Sequence, residues 1–187
     1  MKIAVIGGVG SGKSTVLAML KEHGETVIDC DAVYRDVKRS RAYKTQLAER
    51  FGDVLTDGEV DNKKVAKAVL GDEKAVADLN AIAHPYVKKE LDRLTEGLKR
   101  VFVEVQVFEG GILKDYFDKV WLVVGDRQTR IDRVVSRDSC DSSRVEMIMA
   151  HQPPDETRRK EGYSVIVNDG SLRELRECVA KKLKELG

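Results

Sequence analysis

The stretch Gly7-Gly8-Val9-Gly10-Ser11-Gly12-Lys13-Ser14-Thr15 follows the apolar run Ile3-Ala4-Val5-Ile6 and fits the pattern G-x-x-x-x-G-K-[ST]. An apolar strand that runs into a glycine-rich turn and then a helix is the setting in which this pattern cradles phosphate. Successive backbone N–H groups curl around an anion there, and the helix expected to begin near Lys13 aims its positive dipole end at the same point. Lys13 then reaches the β- and γ-phosphates of a nucleoside triphosphate, and Ser14 offers an oxygen to Mg²⁺. Gly8, Val9, Gly10, Ser11, Gly12, Lys13, Ser14 and Thr15 are therefore the candidate ATP-binding residues, and Ser14 the candidate metal ligand.

Outward from this loop, further short apolar segments suited to buried parallel strands occur at residues 26–28, 101–105, 120–124 and 164–167. Helical or long polar segments separate them, which predicts an α/β domain on a five-stranded parallel sheet. The tract 32–99 shows no strand pattern and reads as an inserted helical subdomain. In it, Val87, Leu91, Leu94 and Leu98 predict one apolar stripe that starts after a helix break at His84-Pro85. A second, highly charged insertion spans about 126–162 and holds Arg127, Arg130, Arg133 and Arg137, the last three on one helix face. Such a stripe fits a lid whose guanidinium groups neutralise a transferring phosphoryl group and exclude water; the competing reading is a solvated face paired with Asp132 and Asp138. After the turn Asn168-Asp169-Gly170, a capping box of Ser171 and Glu174 opens a final helix. The core thus comprises 1–31, 100–125 and 163–187 of a single domain.

Composition narrows the partners. The chain has 187 residues, with 33 basic and 32 acidic side chains and a net charge of +1, which argues against a nucleic-acid partner. Cys30, Cys140 and Cys178 are odd in number and widely spaced, which predicts free thiols in a reducing compartment. No apolar run approaches membrane-spanning length, so a cytoplasmic protein without a membrane partner is expected. None of His23, His84 and His151 stands at metal-ligand spacing. Oligomeric state is not legible in the chain.

A P-loop is shared by switches, motors and kinases, so the reaction must be read elsewhere. Ligands of open parallel sheets bind beyond the carboxyl ends of the strands, where Asp29-Cys30-Asp31 follows the second strand. Asp31, just past the strand, is the better placed of the two carboxylates to orient an acceptor hydroxyl and take its proton; capping the next helix is its other expected role. Lys63, Lys64, Lys67, Lys88 and Lys89 give the helical insert a basic side, suited to an anionic acceptor or to solubility alone.

These residues resemble the dephospho-CoA kinase family over nearly the whole chain. The resemblance rests on GGVGSGKST, VIDCD, FGDVLTDGEVD at 51–61, LNAIAHP at 79–85, Phe108-Glu109, RIDRVVSRD at 130–138, Gln152 and VIVNDGSL at 165–172. It implies a P-loop kinase three-layer sandwich with a helical acceptor-binding insert and a helical lid, related to the nucleoside monophosphate kinases. It implies ATP-dependent phosphorylation of the ribose 3′-hydroxyl of dephospho-CoA, with Mg²⁺, in the last step of coenzyme A synthesis. By the same resemblance Asp31 is the catalytic base, Lys13, Arg133 and Arg137 act on the phosphates, Asn168 begins the loop near the adenine, and His84 and Glu109 belong with Asp31 to the acceptor side. The chain departs from the family at Val105-Gln106-Val107, where Pro-Leu-Leu is usual, at Asn62 in place of an arginine, at Leu70 in place of a phenylalanine, and in a shortened segment between Tyr34 and Phe51. Two other readings stay open: a kinase for a nucleoside monophosphate or sugar acid, and a non-catalytic nucleotide-binding regulator.

Overall fold

The computed structural model describes residues 1–106, 115–159 and 161–187. Its central five-stranded parallel sheet has the order β2-β5-β1-β6-β7, where β1 is Lys2–Gly7, β2 Val27–Asp29, β5 Val101–Glu104, β6 Lys119–Val124 and β7 Ser164–Val167. All five expected strands are present. β1 is central, pairing in parallel with β5 from Lys2↔Val101 to Val5↔Glu104 and with β6 from Ile3↔Lys119 to Gly7↔Val123. Its residues Ile3, Ala4, Val5 and Ile6 are all buried, as a strand covered on both faces requires.

The sheet belongs to a compact unit made of Met1–Ile28, the segment that begins at Lys99, and Phe117–Gly187. One side of its core joins Ile3, Val5, Phe102, Trp121, Val123 and Ile166 to helix α1 (Lys13–Glu22) through Val16, Leu17 and Leu20, and to helix α9 (Leu172–Lys184) through Leu175, Val179 and Leu183. The Phe102 and Trp121 rings lie 5.1 Å apart in this layer. At the start of α9, Ser171 and Glu174 form the expected reciprocal capping box. Between β6 and β7 run α6 (Arg127–Asp138), α7 (Ser142–Ala150) and α8 (Asp155–Arg159), with Ile131, Val134 and Val145 as a small core of their own.

The second unit comprises Asp29–Leu98 together with Tyr116. Its helices are α2 (Cys30–Val37), α3 (Arg41–Phe51), α4 (Asn62–Val69) and α5 (Glu73–Thr95). Tyr43, fully buried, meets the Tyr34 and Tyr86 rings edge-on at 6.0 and 5.6 Å and shares a 2.7 Å hydroxyl contact with Tyr34. Two expectations fail here. A short antiparallel hairpin, β3 (Leu55–Thr56) and β4 (Glu59–Val60), interrupts the tract that reads as purely helical. The helix also does not break at His84-Pro85: α5 runs through Pro85. Proline removes the hydrogen bond to the carbonyl of residue 81, but Ala81 and Pro85 both face water, which solvates that carbonyl. The buried stripe of α5 accordingly starts earlier and runs through Ala75, Ala83, Val87, Leu91 and Thr95, whereas Leu94 and Leu98 remain 38% and 39% exposed.

Candidate active site

The phosphate loop depends on its glycines. Gly10 has φ 74° and Gly12, which precedes α1, has φ 87°, both in the left-handed region that side chains disfavour. The loop is also approached too closely for side chains: a Cβ on Gly8 would meet the Arg130 guanidinium, one on Gly10 the Arg130 carbonyl, and one on Gly12 the Asn168 amide. The turn is closed by Ser11 N–H donating to the Gly8 carbonyl at 3.1 Å. Helix α1 then opens at Lys13, leaving its first N–H groups without an intrahelical carbonyl and ready for an anion.

A cleft of about 570 Å³ lies over this loop. The P-loop residues form its floor, and Glu104, Gln106, Arg133, Arg137 and Gln152 contribute to its walls. Lys13 is not idle in it. Its ammonium stands 3.2 Å from the Glu104 carboxylate and 3.4 Å from the Val105 carbonyl, with side chains only 12% and 24% exposed for Lys13 and Glu104. Two buried polar atoms on the lining, Ser11 Oγ and Arg133 Nη1, have no hydrogen-bond partner among the described residues. Orphaned donors beside a cradle of backbone N–H groups fit a polyphosphate. A second cavity, of about 660 Å³, adjoins α6; two of its arginines are paired within it, Arg127 with Glu146 and Arg130 with Asp155.

The arginines that share a face of α6 in the sequence part company in space. Arg137 is exposed and pairs with neighbouring Asp138, so that part of the solvated-face reading holds. Arg133 donates to the Asn168 carbonyl at 2.9 Å. Arg130 is turned inward, 7% exposed, donating from Nε to the Val9 carbonyl at 2.9 Å and pairing with Asp155 at 2.9 Å. Asn168, also 7% exposed, follows β7 and donates from Nδ2 to the Ser11 carbonyl at 2.8 Å. The contact that structure gives Asn168 is therefore with the phosphate loop itself.

Asp31, His84 and Asn62 belong to the second unit. The helix-capping role expected of Asp31 falls instead to Asp29, whose Oδ1 accepts the Asp31 N–H at 2.8 Å; Asp31 sits in the first turn of α2, and its own carboxylate caps nothing among the described residues. His84 lies within α5, and burial pushes its imidazole pKa below the ordinary value, so that the ring is neutral at pH 7. Asn62 accepts from Lys38 at 3.0 Å, and Leu70 is 84% exposed. The basic side of the insert is partly neutralised, Lys64 by Asp53 and Lys88 by Asp92. Glu109 and the Val107 departure lie outside the described residues. Cys30 is a buried free thiol raised to about 11 by desolvation and then by Asp31 and Asp29, which makes it inert as a nucleophile.

Reasoning from sequence missed Glu104, Arg130 as a partner of the loop, and Asp155. For Glu104 the signal was present: an acidic residue closing an apolar strand at the sheet edge where phosphates bind. Nothing in the sequence marked Asp155.

A parallel sheet whose central strand feeds a P-loop, with a charged helical insertion that supplies arginines to the same cleft, defines a P-loop kinase. The dephospho-CoA kinase family model matches residues 1–174. A dephospho-CoA kinase of Streptococcus pyogenes serotype M3 is 32% identical over 194 residues, covering 100% of this chain and 98% of that protein. One from Geobacter sulfurreducens is 34% identical over 181 residues, covering 92% of each. Among solved structures, a protein of Thermus thermophilus aligns with a TM-score of 0.83 and 28% identity, covering 100% of this chain and 98% of that one. The dephospho-CoA kinase of Campylobacter jejuni shares the fold at a TM-score of 0.68 and 21% identity, with coverage of 100% and 98%. The chain belongs to the dephospho-CoA kinase family.

Proposed function

We propose that the protein transfers the γ-phosphoryl group of ATP to the ribose 3′-hydroxyl of dephospho-CoA, giving CoA and ADP in the last step of coenzyme A synthesis. The observation that carries this is the cleft over the P-loop, lined by Lys13, Arg133 and Arg137 and bordered by orphaned polar atoms, in a chain whose residues 1–174 match the family. Phosphoryl transfer passes through a loose transition state, so positioning and charge neutralisation supply most of the catalysis. Lys13 exchanges Glu104 for the β- and γ-phosphate oxygens, and Arg133 and Arg137 stabilise charge on the transferring group. Asp31 orients the acceptor hydroxyl and accepts its proton; its place just beyond the carboxyl end of β2, free of capping duty, supports that role. His84 and Glu109 bind the acceptor, and the loop starting at Asn168 borders the adenine.

Ser14 and Glu104 on the lining offer hard oxygen donors, which fit Mg²⁺ in the usual manner of few protein ligands plus phosphate and water. When bound, Mg²⁺ supplies neutralisation of the polyphosphate charge. No helix among the described residues is long and apolar enough to cross a membrane, and the free cysteines support a reducing, cytoplasmic setting.

The test is ADP release from Mg-ATP against a panel of dephospho-CoA, AMP, CMP, gluconate and shikimate, with mass spectrometry of the product. CoA formation with the other acceptors silent is expected. Silence with dephospho-CoA and turnover of another acceptor would transfer the function to that substrate.

A further inference from the structure

The tip of the phosphate loop is held from both sides at one residue, Val9. Val9 N–H donates to Gln152 Oε1 at 2.9 Å, and the Val9 carbonyl accepts from Arg130 Nε at 2.9 Å. Both partners come from the segment between β6 and β7, and Arg130 is in turn fixed by Asp155 at 2.9 Å, with the two side chains 8% and 13% exposed. Gln152 and Asp155 are joined by Pro153-Pro154, whose locked φ angles make the spacer stiff. Gly8 and Gly10 leave the room that the Arg130 guanidinium and backbone occupy.

A phosphate cradle works only while its N–H groups converge, and an unligated glycine-rich loop has many other conformations available. Because Val9 spends its N–H on Gln152 and its carbonyl on Arg130, the two successive peptide planes that flank Val9 are oriented before any nucleotide arrives. The geometry points to Arg130, Gln152 and Asp155 as positioning residues for ATP: a brace at the root of the lid that pre-organises the P-loop and lowers the ordering cost of nucleotide binding. Arg130 forks between a carbonyl and a carboxylate, a geometry that lysine cannot reproduce. Lid closure must therefore hinge beyond these contacts, leaving the root of the lid fixed to the loop.

The inference rests on the reading of the cleft as the ATP site, and its test needs no acceptor. ADP affinity is titrated by calorimetry for the parent and for Gln152→Ala, Gln152→Met and Asp155→Ala, with the nucleotide-free melting temperature of each. Methionine keeps the bulk of glutamine without its carbonyl acceptor. ADP affinity is expected to fall about tenfold in Gln152→Met as in Gln152→Ala, while melting of the two Gln152 variants stays near that of the parent. Parent-like ADP affinity in Gln152→Met would reduce Gln152 to packing and overturn the brace. So would losses of affinity that follow melting temperature across the series, since they would make these contacts general stabilisers. An acceptor other than dephospho-CoA leaves the ADP titration unchanged, so failure here and failure of the proposed reaction are distinguishable.

Discussion

At the scale of the residue, the clearest division of labour lies in the pair that closes β2. Asp29 spends its carboxylate on the Asp31 N–H, so that Asp31, the proposed base, is not the helix cap. Asp31→Asn keeps the size and the helix start and removes the base; kcat is expected to fall by on the order of 10²–10⁴ with ATP affinity nearly unchanged, measured by steady-state kinetics. Turnover close to that of the parent would remove the base assignment. The sequence marked both carboxylates but could not say which would cap, because that depends on the backbone angles at Asp29, whose ψ of 111° places it outside the helix. Arg130 illustrates the same limit. Periodicity puts it on a face with Arg133 and Arg137, yet a long side chain near the start of a helix reaches partners that spacing does not reveal.

Among the elements, the sheet was legible because strands buried on both faces are written as continuous apolar runs, and 3–6, 101–103 and 120–124 are such runs. The hairpin at Leu55–Val60 was not, since two residues per strand carry no readable alternation; its turn at Asp57-Gly58, with φ of 52° and 77°, was the remaining cue. Helix α5 defied the rule that proline ends a helix, because the carbonyl that Pro85 orphans faces solvent. Pro85→Ala restores a donor and relieves the ring clash, so it is expected to stabilise the protein by roughly 1–3 kcal/mol. Urea unfolding measures this. An unchanged midpoint would mean that the helix has already relaxed around the proline.

Across the whole molecule, stability should lean toward neutral pH from both sides. Asp61, Asp126 and Glu174 cap helices and are held below their usual pKa by the hydrogen bonds they accept, from Lys64, Thr129 and Ser171 first of all. The folded state therefore binds fewer protons than the unfolded one, and their contribution, complete above about pH 5, is lost on acidification through the lowered values. Cys30 behaves in the opposite sense. Its thiol is raised from 9.0 to about 11 by burial, so the folded state keeps a proton that the unfolded chain releases, and stability falls as pH rises from 9 toward 11. The loss amounts to about 2 kcal/mol by pH 10.5. Cys30→Ala should make that limb shallower, leaving the share due to the Tyr34 and Tyr43 hydroxyls, which burial also raises, a difference visible in urea unfolding at pH 8 and pH 10.5; parallel profiles for the two proteins would assign the alkaline loss elsewhere.

On the proposed reading of the cleft, the ion pair between Lys13 and Glu104 also sets a condition on which anions can enter. An arriving ligand does not meet a bare cation: it must evict a resident carboxylate that already satisfies it. A lone inorganic phosphate or sulfate offers little more than the carboxylate it would displace. A nucleotide polyphosphate that reached the proposed site would meet the amides of α1 as well as Lys13, and would so recover the cost of the exchange. The contact thus works as a competitor built into the chain, a threshold that screens the site against the simple anions abundant in any cell.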